Sequence, residues 1–252
     1  MATKRSRIDV VMVERGLAPT REKAQALLMA GSVSVDGRPV TKPGTAVAAG
    51  AGIDVRAPLP YVGRGGEKMA GALDAFGIDP AGTVVLDVGA STGGFTDCLL
   101  QHGAARAYAV DVGRGQLAHK LRQDARVTSF EGVNARNPFP LPEPVDLAVA
   151  DVSFISLRLV LPQMAAHVRH RGRMLVLVKP QFEAEREAVG RGGIVRDAKT
   201  HAAVVGDFAQ WAIRQGHRLR GIAPSPITGG DGNREFFVLL EAGGDAGERE
   251  GT

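Results

Sequence analysis

Two lysines and two carboxylates stand in this chain where a parallel sheet would expose them. Lys68 lies at the start of a helical pattern, Asp151 closes an apolar run, Lys179 closes the next one, and Glu235 opens the last. In a doubly wound sheet the carboxyl ends of the strands gather on one rim, and ligands bind there. Two acids and two bases on that rim could move a proton and stabilise charge developing on an oxygen. Each residue alone reads as a surface charge; their joint placement is what points to a pocket. A cation at a helix start is also unfavourable with the helix dipole, which singles out Lys68 further.

The stretch Val84–Thr96, VVLDVGASTGGFT, has to supply the other half of such a pocket. Val84, Val85, Leu86 and Val88 are a run fit for a strand covered on both faces, interrupted by Asp87. Gly89, Ala90, Ser91, Gly93, Gly94 and Phe95 then form a glycine-rich turn into a helix. The turn is neither a P-loop, since no Lys-Ser or Lys-Thr follows, nor G-x-G-x-x-G. Asp111 and Val112 end a second apolar strand, 24 residues beyond Asp87. An acid so placed can accept hydrogen bonds from ribose hydroxyls. Asn134 and Ala135 follow a third strand, where an adenine ring could rest.

Strand and helix alternate throughout 80–242, which predicts a doubly wound α/β sheet. The expected elements are a helix over Glu67–Phe76, strands over 84–88, 107–112, 127–131, 145–152 and 174–178, and helices over 95–103, 116–123, 156–167 and 198–215. Residues 181–196 read as a long loop, a candidate lid. Leu219–Ala223 and Glu235–Leu240 have no helix between them and predict an antiparallel edge. A Pro- and Gly-rich linker covers 57–66, and a Gly- and acid-rich tail at 243–252 reads as disordered.

At 252 residues and 44% hydrophobic, the chain can bury one medium core and a small one. It shows no apolar run of about 18 residues and no secretory h-region, which argues against a membrane span and for the cytoplasm. Its single cysteine, Cys98, excludes an internal disulfide and reads as core. The six histidines show no metal-ligand spacing, so no metal is expected. Residues 1–56 hold nine Lys/Arg against five acids, so the whole formal excess of +4 lies there, as a polyanion-binding module would have it. Ser6–Leu17 and Arg21–Ala30, the latter capped by Thr20, read as two helices; strands around Asp36-Gly37 make a hairpin. This order resembles the S4 RNA-binding domain. Lys4, Arg5, Arg7, Arg21, Lys23, Arg38 and Lys42 are its candidate phosphate contacts.

DVGASTGGFT, ADVSFISL, LVKPQFE and GNREFF, spaced as here, resemble the TlyA family (haemolysin A-like), whose catalytic domain is similar to FtsJ-type RNA methyltransferases. The resemblance covers residues 4–242. It implies a Rossmann-like class I methyltransferase sheet over 67–242 with a small α+β S4 domain over 1–56. It also implies S-adenosylmethionine as methyl donor and ribosomal RNA, free or in a subunit, as substrate. The family's Lys-Asp-Lys-Glu tetrad falls on Lys68, Asp151, Lys179 and Glu235, its cofactor loop on Gly89–Gly94 and its ribose-binding acid on Asp111. The activity so implied is 2′-O-methylation of ribose, at cytidine, with Lys179 as general base. A lysine beside a second cation and away from water can take up a proton near neutral pH. Phe154 could stack on the target base or fill the core, and Arg64, Arg136, Arg186 and Arg191 could hold phosphates. Two other readings are a membrane-active haemolysin and an RNA-binding assembly factor without catalysis.

Overall fold

The computed structural model describes residues 5–29, 31–55, 60–185, 188–190, 192–230 and 232–243. Lys4, Arg186, Arg191, residues 57–59 of the linker and the tail from 244 onward lie outside them. The chain divides into two units between Pro60 and Tyr61.

The first unit opens on a strand, not a helix. β1 (Arg5–Arg7) leads directly into α1 (Ile8–Glu14), so the first helix is shorter than the expected Ser6–Leu17. The reason is non-local: β1 pairs antiparallel with β4 (Ala46–Ala48), some forty residues away. α2 (Arg21–Met29) begins as expected, with Thr20 Oγ1 accepting from Lys23 N at 3.2 Å. β2 (Val33–Val35) and β3 (Arg38–Pro39) form the hairpin, with Asp36 and Gly37 both at positive φ. β5 (Ile53–Val55), not foreseen, pairs with the other edge of β2. Ile8, Met12, Ala24, Leu28 and Val33 close a small core.

The second unit is built on a seven-stranded sheet. Its strands are β6 (Val84–Val88), β7 (Arg106–Asp111), β8 (Val127–Glu131), β9 (Val145–Ala150), β10 (Val168–Val178), β11 (Arg218–Pro224) and β12 (Phe236–Glu241). Their order is β11-β12-β10-β9-β6-β7-β8. β8, β7, β6, β9 and β10 are mutually parallel; β12 runs antiparallel between β10 and β11. The order reverses at β6, so the rim above β6 and β9 is the crevice where such sheets bind ligands.

Strand alternation splits the core into two layers. Leu86, Val110, Ala148 and Val176 face α6 (Leu161–Ala165) and α8 (Ala198–Arg214). Val85, Ala109, Val149 and Leu177 face α3 (Arg64–Phe76), α4 (Gly94–Gln101) and α5 (His119–Arg122). Cys98 sits in this second layer, fully buried, and burial pushes its thiol up to about 12.

Several boundaries differ from expectation for local reasons. α3 starts at Arg64, inside the expected linker, because Gly66 lets Tyr61 lie against it: a Cβ there would fall 2.1 Å from the Tyr61 Cβ. Lys68 is therefore the fifth helical residue, and its side chain points inward. The expected helix over 156–167 splits into a 3₁₀ turn (Leu157–Leu159) and α6, with Pro162 in the first turn of α6. α5 is reduced to one turn. β10 begins six residues early, through a bulge between Val168 and Arg173. α7 (Pro180–Glu183) occupies the start of the expected loop.

Candidate active site

Parallel pairing of β6, β9 and β10 brings their carboxyl ends level, so Asp151 and Lys179, each one residue past a strand, stand side by side. β12 runs the other way, so its amino end reaches the same rim and delivers Glu235. α3 crosses behind and supplies Lys68. The four residues form a chain of alternating charge. Glu235 Oε2 lies 2.6 Å from Lys68 Nζ, Lys68 Nζ lies 4.0 Å from Asp151 Oδ2, and Asp151 Oδ1 lies 2.6 Å from Lys179 Nζ. Lys68, Lys179 and Glu235 are buried, Asp151 partly so. Equal numbers of acids and bases let each group face an opposite partner in a site largely withdrawn from water.

Two adjoining cavities open beside this chain, and Gly89, Ser91, Asp151 and Ser153 line both. The smaller, about 220 Å³, is bounded by Asp87, Ala90, Gly94, Phe95 and Lys179. The larger, about 530 Å³, is bounded by Asp111, Val112, Asn134, Ala135, Arg136 and Phe154. Gly89 has φ +82°, and a Cβ on it would come within 2.6 Å of the Asp151 carbonyl oxygen. Only glycine lets β6 turn this close to the end of β9. Gly93 is the exception among the expected cofactor residues: its Cβ position faces Leu117 and Leu121 in the core, not the cavities.

Asp87 is fully buried. Its Oδ2 accepts from Thr96 N (3.0 Å) and Thr96 Oγ1 (2.7 Å), while its Oδ1 has no hydrogen-bond partner among the described residues. Burial pushes its carboxyl up to about 7; the Thr96 bonds oppose that and the charge of Asp151 adds to it. Asp111 accepts from Ser91 N at 2.7 Å and from Gly113 N at 2.6 Å, which fixes its carboxylate at the mouth of the larger cavity.

The expected RNA contacts fare unevenly. Phe154 is 91% exposed at φ +62°, which removes the core reading, and its ring stands 5.1 Å from that of Phe182. Arg136 is exposed beside the larger cavity, whereas Arg64 donates to Thr228 O. In the first unit Arg5, Lys23, Arg38 and Lys42 are exposed. Arg7 and Arg21 instead bind the buried carboxylate of Asp9, along with Gln25, and hold it well below the usual carboxylate range. Their side chains remain half-exposed, so they are partly committed to structure.

Sequence reasoning missed three polar side chains around the tetrad. Ser153 accepts from Lys179 Nζ at 2.8 Å. Asn233 is buried two residues before Glu235; it accepts from Val195 N and donates to Gly193 O, tying Gly193 and Val195 down. Glu183 on α7 accepts from Ser156 Oγ and Leu157 N, joining the segment after Asp151 to the helix after Lys179. Proximity to the tetrad in sequence was the available signal for the first two.

The FtsJ-like methyltransferase family model matches residues 61–242, and the S4 domain model matches 6–53. The chain belongs to the FtsJ-like methyltransferases of TlyA type. It is 45% identical to the 16S/23S rRNA (cytidine-2′-O)-methyltransferase TlyA of Mycobacterium tuberculosis, over 94% of this chain and 90% of that one. A solved structure named as a hemolysin, from Streptococcus thermophilus, is 43% identical with a TM-score of 0.74, covering 96% of this chain and 90% of that chain. An S-adenosylmethionine-dependent methyltransferase structure from Listeria monocytogenes shares the fold alone, at 13% identity and a TM-score of 0.53, over 70% of this chain and 99% of that one. S-adenosylmethionine is the methyl donor of these enzymes, and the residues present fit it. The unpartnered Asp87 oxygen offers an acceptor to a cationic group, Gly89 keeps the turn clear of side chain, and Asp111 offers carboxylate oxygens for ribose.

Proposed function

We propose that this methyltransferase transfers a methyl group to a ribose 2′-hydroxyl of ribosomal RNA, at cytidine, with Lys179 as general base. The observation that carries this reading is the buried Glu235–Lys68–Asp151–Lys179 chain opening on the two cavities. Asp87, Gly89, Ser91, Asp111, Asn134 and Ala135 would hold S-adenosylmethionine, which when bound supplies a methyl already activated by its sulfonium. What the protein must add is position and a place for one proton. A 2′-hydroxyl is a poor nucleophile until its proton leaves. Lys179 Nζ takes that proton and becomes an ammonium, and Asp151, 2.6 Å away, stabilises the new charge. Lys68 offsets the charge on Asp151 and is itself held by Glu235. The exposed ring of Phe154 supports a role in stacking on a base drawn out of the RNA. The exposed cations of the first unit support phosphate contacts that place the RNA without reading its bases. A cytoplasmic location fits such a substrate.

The experiment is to map 2′-O-methyl groups in ribosomal RNA, free and in subunits, incubated with the wild-type protein or with K179A. The wild type should add a methyl group at cytidine. K179A should abolish transfer and leave RNA affinity nearly unchanged. Retained transfer in K179A sinks the base assignment. Among the described residues no helix is long and apolar enough to cross a membrane. Leakage of vesicles without any methyl transfer would favour the haemolysin reading instead.

A further inference from the structure

Lys179 has a second polar partner besides its carboxylate. Its Nζ meets Asp151 Oδ1 at 2.6 Å and donates to Ser153 Oγ at 2.8 Å. The ring of Phe182, with its centroid 5.9 Å away, covers another side. Ser153 stands two residues beyond Asp151, is exposed, and lines both cavities. Its backbone follows the Asp151 carbonyl, which packs against Gly89, so the hydroxyl sits at the junction of the cofactor turn and the tetrad.

An amine nitrogen has three directions besides its bond to carbon. As a base it carries two N–H groups and one lone pair, and only the lone pair can accept a proton. Asp151 occupies one of these directions as the ion-pair partner at 2.6 Å. If nothing else chose, the second N–H and the lone pair would exchange between the two remaining directions. Ser153 Oγ is an acceptor in one of them. It draws the second N–H and leaves the lone pair directed at the cavity.

We propose that Ser153 is a positioning residue: by accepting one N–H of Lys179 it aims the lone pair at the ribose hydroxyl. This rests on the reading of Lys179 as the base of a 2′-O-methyl transfer. Ser153 is exposed and carries no core packing, so its truncation leaves the fold intact.

The test compares the full-length wild type with S153A and S153T, measuring kcat, KM for ribosomal RNA and the Kd of S-adenosylmethionine. S153A should lower kcat by about ten-fold, the scale of one orienting hydrogen bond in a site that depends on alignment. KM and the cofactor Kd should move less than kcat does, because the hydrogen bond removed is the one to Lys179. S153T, which keeps the hydroxyl, should recover most of the rate. Unchanged kcat in S153A overturns the inference, as does an equal loss in S153T or a loss confined to KM or Kd. If the wild type itself transfers no methyl, the proposed function fails and this inference with it. Transfer by the wild type that S153A leaves undiminished refutes the inference alone.

Discussion

Asp87 is an acid that folding makes less acidic, and this gives the second unit a stability that falls with pH. Burial moves its carboxyl from an ordinary 3.8 to about 7. Between those values the unfolded chain has released the proton while the folded chain still holds it. The unfolded state then binds fewer protons, so stability declines as pH rises through the window and levels off above pH 7. The full difference is worth about 4 kcal/mol, of which about 3 kcal/mol falls between pH 5 and pH 8. Asp87→Asn keeps an acceptor for Thr96 and cannot ionise. Its stability relative to the wild type should therefore rise by about 3 kcal/mol over the same interval, whatever the variant costs at pH 5. Trp211, the chain's only tryptophan, lies in α8 with its ring 5.8 Å from that of Phe208, so its fluorescence reports unfolding of the second unit. Urea titrations at several pH values measure the difference, and groups common to both proteins cancel. Parallel stability curves for the two proteins would refute the reasoning.

Two other perturbations follow from the site geometry. Gly89→Ala puts a Cβ 2.6 Å from the Asp151 carbonyl at φ +82°; it should weaken S-adenosylmethionine binding by at least about ten-fold in calorimetry while RNA affinity holds. Wild-type cofactor affinity in that variant would show that the turn has room to shift. Glu235→Gln leaves Lys68 with Asp151 alone, at 4.0 Å, and should cost about 3 kcal/mol, the low end for removing one partner of a buried pair. Urea unfolding followed at Trp211 reads it, and a loss below about 1 kcal/mol would mean that Asp151 satisfies Lys68 unaided.

The central strands were legible because each is covered on both faces and so appears as an unbroken apolar run. Asp111, Asp151 and Lys179 were legible for the same reason: a charge at the end of such a run has to be on the rim, whereas Asp87 interrupts its run and is fully buried. β1, β4 and β5 were not, since three-residue strands carry no period and are fixed by partners far away in the chain. The early start of α3 was hidden by Gly65 and Gly66, which read as linker until Phe95 is seen against the first and Tyr61 against the second. Charge counting assigned Arg7 and Arg21 to RNA, and it could not register that Asp9, fully buried, draws both. Ser153 and Asn233 act through single hydrogen bonds, and a hydroxyl or amide leaves no pattern in sequence until its partner is in place.

The antiparallel strand β12 has a consequence for how the protein is made. Lys68 and Glu235 are 167 residues apart in the chain, and the contact between them closes most of the second unit into a loop. Parallel strands β6 to β10 are all synthesised before that contact can form. A ribosome-bound chain that has not yet delivered β12 holds Lys68 without its 2.6 Å partner and lacks the strand between β10 and β11. Such non-local closure is slow compared with helix and hairpin formation. The tetrad therefore assembles late within the second unit, and it is complete only after β12 has emerged.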